Sequence, residues 1–281
     1  MKFTKVHSLG NDFIVIEPEE SAGIVDIPGL TKRLCDRHVG VGADGLLLIS
    51  IEDRERGLVR FRIFNADGSE PEISGNGLRC AAAYLFHLKK IAPPDVTFLT
   101  TIGDRSCNLL EVQNSCFQVR IEMGTPRLTS KDIPFDDGIY HEKIIDYPLS
   151  IHNKIYPVTV VSMGNPHCAV FCDKFPARIE WHEIGREIEY HPFFPNRINV
   201  EFVRVLSPRE IEVLFWERGV GETLSSGSCS SAAAVAAILK GLTDRKVTVK
   251  TFLGQVVVEW ERDRVFQSGP AEIVFDGVLL K

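Results

Sequence analysis

The chain of 281 residues has no apolar run approaching the roughly 20 residues that a membrane helix requires, so no membrane partner is expected. Its opening, Met1-Lys2-Phe3-Thr4-Lys5-Val6-His7, lacks the apolar core of a signal peptide, and a cytoplasmic protein is expected. Runs of lysine and arginine are also missing. With 32 basic residues against 38 acidic ones and a net charge of −6, nucleic acid is not an expected partner. No CxxC pair occurs among the seven cysteines (35, 80, 107, 116, 168, 172 and 229), so neither a zinc ribbon nor a redox dithiol is expected and no metal is assigned. These cysteines read as small buried hydrophobes in a reducing compartment. Gly40-Val41-Gly42 lacks the third glycine and the strand–helix setting of a dinucleotide loop.

What the chain does contain is short alternation. Val59, Phe61 and Ile63 alternate with Arg60 and Arg62; Val119 and Ile121 with Arg120 and Glu122; Val247 and Val249 with Thr248 and Lys250. Each is a period-two strand with one wet face. Further strands are predicted near 12–16, 45–51, 96–101, 157–163, 199–205 and 210–216. Helices are fewer: one over about 28–37 with Pro28 in its first turn, another over about 177–187 with Ile179, Ile184 and Ile188 on a stripe around Trp181. The mixture predicts an α/β (α+β) fold of strand-rich sheets wrapped about a few helices.

Two segments resemble each other. Ser74-Gly75-Asn76-Gly77-Leu78-Arg79-Cys80-Ala81-Ala82-Ala83 and Ser226-Gly227-Ser228-Cys229-Ser230-Ser231-Ala232-Ala233-Ala234 both begin Ser-Gly and run into an Ala-rich helix, 152 positions apart. Close packing of two buried helices would by itself favour such residues. The spacing of about half the chain points further, to a duplicated half-domain. A helix N-terminus offers unpaired N–H groups and positive dipole, and adjacent glycines let a ligand approach the backbone. Each segment is a carboxylate cradle. Two of them facing one α-carbon would stabilise the enolate left when its proton departs and would set Ser74 and Ser226 on opposite sides, the arrangement an epimerase needs.

The motifs then carry a resemblance. Lys5-Val6-His7-Ser8-Leu9-Gly10-Asn11-Asp12-Phe13, Asp36-Arg37-His38-Val39-Gly40-Val41-Gly42-Ala43-Asp44, Phe64-Asn65-Ala66-Asp67-Gly68-Ser69, Gly75-Asn76-Gly77-Leu78-Arg79-Cys80, Gly164-Asn165-Pro166-His167, Asn199-Val200-Glu201-Phe202 and Glu217-Arg218-Gly219-Val220-Gly221-Glu222-Thr223-Leu224 resemble the diaminopimelate epimerase family, in its order, as does the ending Gly269-Pro270-Ala271 to Phe275-Asp276-Gly277. The resemblance implies two pseudo-symmetric halves, about 1–125 with 266–281 and about 126–265, each a sheet around a central Ala-rich helix, with the active site in the cleft between them. It implies a cofactor-independent isomerase of lysine and peptidoglycan precursor biosynthesis that interconverts LL- and meso-diaminopimelate by two-base proton transfer. Catalysis would fall to Ser74 and Ser226, supported by His167 and Glu217. The amino-acid substrate would be held by Asn11, Asn65, Asn165, Asn199, Glu217 and Arg218 and by the backbones of Gly75-Asn76 and Gly227-Ser228. The assembly expected is a homodimer.

Independently of the family, a guanidinium such as Arg218 suits a distal carboxylate. The asparagines have a plainer reading as turn formers, since Asn11-Asp12 and Asn65-Ala66-Asp67-Gly68 are good turn sequences. Two departures matter. The family has cysteine where this chain has Ser74 and Ser226, and a glutamine is common where it has Gly45. A thiol with pKa near about 8.5 can rest as thiolate at a helix N-terminus, whereas a hydroxyl needs a partner base. Cys80 and Cys229, inside the helices, are expected to pack rather than react. Three readings stay open: an altered diaminopimelate epimerase; a related racemase, epimerase or dehydratase of another amino or hydroxy acid; and a catalytically silent amino-acid-binding protein.

Overall fold

Alternating burial along the strands and nearly continuous burial along two helices organise the chain. The computed structural model describes residues 1–18, 26–92 and 94–280. Contacts divide it into two compact units, Met1–Glu122 with the C-terminal segment from Ser268, and Met123–Gln267.

In the first unit, strands β1 (Lys2–Ser8), β2 (Asn11–Ile16), β3 (Gly45–Asp53), β4 (Leu58–Asn65), β5 (Asp95–Leu99), β6 (Arg105–Gln113) and β7 (Cys116–Gly124) are neighbours in that order. The C-terminal strand β16 (Arg264–Val278) follows β7 and pairs with β1, so the strand order returns to its start. Helix α1 (Ile27–Cys35) joins β2 to β3, and α2 (Gly75–His87) joins β4 to β5. Asp26 caps α1 by accepting from Gly29 N–H at 2.8 Å. α1 ends two residues before the predicted 37, because Asp36 turns extended and its carboxylate takes the N–H groups of His38 and Val39.

The second unit contains β8 (Ile144–Ile151), β9 (Lys154–Ser162), β10 (Pro166–Phe171), β11 (Asn199–Ser207), β12 (Glu210–Glu217), β13 (Gly221–Thr223), β14 (Lys246–Thr251) and β15 (Gly254–Glu261). Their order is β8-β9-β10-β11-β12-β14-β15, with β13 beside β12. α3 (Arg178–Glu189) joins β10 to β11, and α4 (Gly227–Leu239) lies between β13 and β14.

The two units repeat one wiring. β1/β2 is antiparallel, β2/β3 parallel, β3/β4 antiparallel, β4/β5 parallel and β5/β6 antiparallel. β9/β10, β10/β11, β11/β12, β12/β14 and β14/β15 follow the same sequence of directions. Each parallel step is bridged by a helix, as a parallel pair requires. The register repeats as well. Phe13 pairs with Gly45 and Gly45 with Asn65 in the first unit; His167 pairs with Asn199 in the second, and Asn199 and Glu217 extend the Val200–Trp216 pair by one step.

α2 is buried from Gly75 to Phe86 and packs on β1, β2, β3 and β6; α4, almost as buried, packs on β9 to β12, β14 and β15. Small or apolar residues on every face are what allow strands to surround a helix. Both helices begin earlier than their Ala-rich runs, since the Ser-Gly segments form the first turns. α3 is different: it buries Trp181, Ile184, Gly185 and Ile188 against a core with Val158, Val160 and Phe202. The predicted place of Ile179 on that stripe is corrected, for it is 77% exposed. Two residues before Trp181 means about 200° around the helix, the opposite face.

Candidate functional site

In the first unit the α2 start is held by a chain of side chains. Ser74, in extended conformation, accepts from Gly77 N–H at 3.1 Å and caps the helix. Asn76 is buried and donates to Asn11 Oδ1 at 3.1 Å, while its own Oδ1 accepts from Arg79. Arg79 is fully buried, its Nε donating to Ser8 Oγ at 3.0 Å, and burial lowers its pKa to about 10. Asn11 Nδ2 in turn donates to Asp44 at 2.8 Å. Asp44 shares Arg37 with Asp12, and Lys5 also bonds Asp12. Burial would raise the Asp12 carboxyl, but hydrogen bonds from Arg37 and Lys5 hold it at about 2.

Asn65 sits at the end of β4, exposed, with Nδ2 on Ser69 Oγ at 2.9 Å and its backbone N–H on Ser69 O, a turn-forming role. Gly45 is sterically fixed: a Cβ there would meet Phe64 O at 2.5 Å and the Phe13 ring at 3.2 Å. No side chain fits this spot without displacing β4.

In the second unit the predicted residues gather at the C-terminal end of β12 and the start of α4. Ser226 has the same extended conformation as Ser74 but makes no cap bond. It is buried, and its hydroxyl donates to Glu217 Oε2 at 3.0 Å. Thr223 donates to the other oxygen, Oε1, at 2.6 Å. Burial pushes the Glu217 carboxyl above its ordinary range, against the pull of these two hydroxyls and of His167.

His167 is fully buried, Nδ1 at 2.7 Å from Glu201 Oε1 and Nε2 at 2.9 Å from Asn165 Oδ1. Asn199 donates to Pro166 O at 2.8 Å and accepts from Arg218 N–H at 2.9 Å, so it staples the Pro166 and Arg218 loops together. Arg218 is exposed and reaches back to Asn196 O at 3.1 Å. Gly219 turns the chain there with φ of 77°, a left-handed conformation that favours glycine. Gly227 and Ser228 stand in the first turn of α4, whose N–H groups lack intrahelical acceptors.

The structure therefore joins Ser226, Glu217, His167, Asn165, Asn199 and Arg218 within one unit. It joins Ser74, Asn76 and Asn11 within the other, with Asn65 and Gly75 close in sequence to that chain. Within its own unit Ser74 has no carboxylate or imidazole partner among the described residues.

Sequence reasoning missed Glu201, Thr223 and the Lys5–Asp12–Arg37–Asp44 network. Glu201 did carry a signal: it is an acidic residue between Val200 and Phe202 in the strand predicted over 199–205, and burial there requires a partner. His167, Glu201 and Cys229 place one donor atom each within 4.8 Å of one another. The 2.7 Å Nδ1···Oε1 distance is that of a direct hydrogen bond, shorter than the roughly 3.3 Å between two ligands of a tetrahedral zinc. The cluster is hydrogen-bonded, not spaced for a cation. Cys80 and Cys229 are fully buried with thiols pushed up by burial, as packing residues would be.

Known proteins bear on this geometry. The family model described as diaminopimelate epimerase matches residues 3–129 and 159–274. A protein named diaminopimelate epimerase from Pelotomaculum thermopropionicum is 43% identical over 279 residues, covering 99% of this chain and 98% of its own. One of the same name from Desulfitobacterium hafniense is 40% identical, covering 100% and 99%. Among solved structures, a hydroxyproline epimerase from Agrobacterium vitis matches with a TM-score of 0.70 at 14% identity, covering 99% of this chain and 90% of its own. A protein described as a predicted epimerase from Pseudomonas aeruginosa matches with 0.69 at 16%, covering 100% and 99%. Both share the fold.

Proposed function

The chain belongs to the diaminopimelate epimerase family, and from that premise we propose that it is a cofactor-independent isomerase that moves a proton at the α-carbon of diaminopimelate, interconverting the LL and meso forms. The observation that carries the mechanism is the 3.0 Å hydrogen bond from Ser226 to the raised carboxyl of Glu217. A serine hydroxyl cannot rest as alkoxide, and a carboxylate with elevated pKa is the partner base it lacks. As Ser226 Oγ takes the α-proton, its own proton passes to Glu217 Oε2. The C–H bond electrons move into the substrate carboxyl as an enolate, which the α4 N-terminal N–H groups at Gly227 and Ser228 stabilise. Reprotonation on the same face reverses these steps and gives exchange without inversion. Inversion requires a second group, and Ser74 is the one in the matching position. Asn11, Asn65, Asn165, Asn199 and Arg218 are the proposed polar partners of the amino-acid heads. The site of action is the cytoplasm.

A specific observation favours a second reading. Ser74 is engaged as a helix cap and lacks a partner base in its unit, which suits a protein that binds its amino acid and turns it over slowly or not at all. Incubating the purified protein with LL-diaminopimelate in heavy water separates the two. The proposal expects α-deuterium incorporation by NMR, with meso product accumulating more slowly on a chiral column. Saturable binding without exchange between pH 6 and 9 would establish the silent binder. Exchange into another amino acid but not diaminopimelate would establish a related racemase.

A further inference from the structure

We propose that Glu201 is a positioning residue for this proton transfer: it holds a proton on both ring nitrogens of His167, and the resulting imidazolium faces Glu217. The inference rests on the reading above for its kinetic consequence and on the geometry alone for the charge.

Glu201 is fully buried on β11. One oxygen lies 2.7 Å from His167 Nδ1, the neutral Cys229 thiol is also hydrogen-bonded to the carboxylate, and no N–H or O–H donor reaches the buried Oε2. No lysine or arginine pairs with it among the described residues. A buried carboxylate in this setting needs a counter-charge. His167 supplies it. Its Nε2 faces a second acceptor, Asn165 Oδ1, at 2.9 Å. A neutral imidazole carries one N–H and satisfies one acceptor; a ring between two oxygens satisfies both only with two protons.

The groups around the ring are accounted for element by element. β10 contributes Cys168, α4 contributes Cys229 and Ser226, β11 contributes Glu201, and β12 contributes Glu217. Burial pushes both thiols well up, so they stay neutral. Three charges remain, and His167 and Glu201 cancel as a pair. The His167 charge is the stronger influence on Glu217, lowering its carboxyl more than Glu201 raises it. Glu201 thus acts through His167 to keep Glu217 a proton acceptor despite its burial. Cys229 is hydrogen-bonded to both Ser226 and Glu201.

The test uses the full-length protein. Ring ¹⁵N shifts of His167, assigned by their loss in His167→Gln, report its protonation whether or not the enzyme turns over. The expected result is two ring protons at neutral pH in the parent and one in Glu201→Gln, with Glu201→Asp retaining two. In α-deuterium exchange, Glu201→Gln should lose at least tenfold in kcat near neutral pH with KM changed less than twofold, and its acidic limb should move to higher pH. A singly protonated His167 in the parent overturns the proposal with no variant needed. So does an unshifted acidic limb in a folded Glu201→Gln. Absence of exchange in the parent overturns the epimerase reading instead, and the ¹⁵N shifts still decide the charge.

Discussion

The starts of α2 and α4 are the same object in backbone and different objects in chemistry. Both helices have 13 residues and an N-terminal serine in extended conformation, φ/ψ of −141°/121° at Ser74 and −145°/126° at Ser226. Ser74 spends its oxygen on Gly77 N–H, whereas Ser226 turns away from its helix and donates to Glu217. The flanking strands differ in parallel. The row Phe13–Gly45–Asn65 holds no titratable group, and its counterpart holds His167, Asn199 and Glu217. Duplicated wiring fixes where a functional group can stand; the side chains around it decide whether it can move a proton.

The largest expected effect tests the second start. Glu217→Gln keeps the shape and a hydrogen-bond acceptor for Ser226 but removes the base, so α-deuterium exchange should fall by about 10²–10⁴-fold with the folded state unchanged by circular dichroism. An intact rate would move the base elsewhere. The next tests the first start. Ser74→Cys supplies an ionisable group at a position with no carboxylate or imidazole partner in its unit among the described residues, and together with Ser226→Cys it should raise inversion by about 10²-fold, most above the thiol pKa of roughly 8.5. A chiral assay across pH reads this, and Ser74→Cys should account for most of the gain in inversion because Ser226 already has Glu217.

Smaller effects separate the two starts by stability. Ser74→Ala should cost about 1 kcal/mol in chemical denaturation through the lost cap whatever the pH, whereas the cost of Ser226→Ala should grow as pH rises, since it removes a donor from the buried Glu217 carboxylate. Equal losses at every pH would erase the distinction. A further contrast is the opposed pH response of the two units. Asp12, held at about 2 by Arg37 and Lys5 against burial, adds stability that is present above its unfolded range near about 4 and lost as pH falls through 2. Glu217, raised by burial, adds stability that is present below its unfolded range and lost as pH rises through its folded value. Denaturation midpoints of Asp12→Asn and Glu217→Gln against pH should flatten opposite limbs.

Much of this was legible in the residues. Period-two alternation located β4, β7 and β14, and six further apolar runs matched β2, β3, β5, β9, β11 and β12, while β1, β6, β8, β13 and β15 were not anticipated; the paired Ser-Gly segments located both central helices. Ile179 misled because a stripe was read from three isoleucines without their angular phase, and the helix turned it to solvent. The networks were not legible, because they are long-range: Asn11 meets Asn76 and Asp44, and His167 meets Glu201, across strands far apart in sequence. Nor could the sequence distinguish a serine that caps from one that donates. That difference lies in one side-chain rotation beside a carboxylate nine residues away.

The direct test of the central claim compares deuterium wash-in with inversion for Ser74→Ala and Ser226→Ala on the same diaminopimelate stereoisomer. Ser74→Ala should keep α-exchange within a few-fold of the parent while losing inversion. Ser226→Ala should lose exchange by at least about 10²-fold. Equal loss of exchange in both variants, or greater loss in Ser74→Ala, would contradict it.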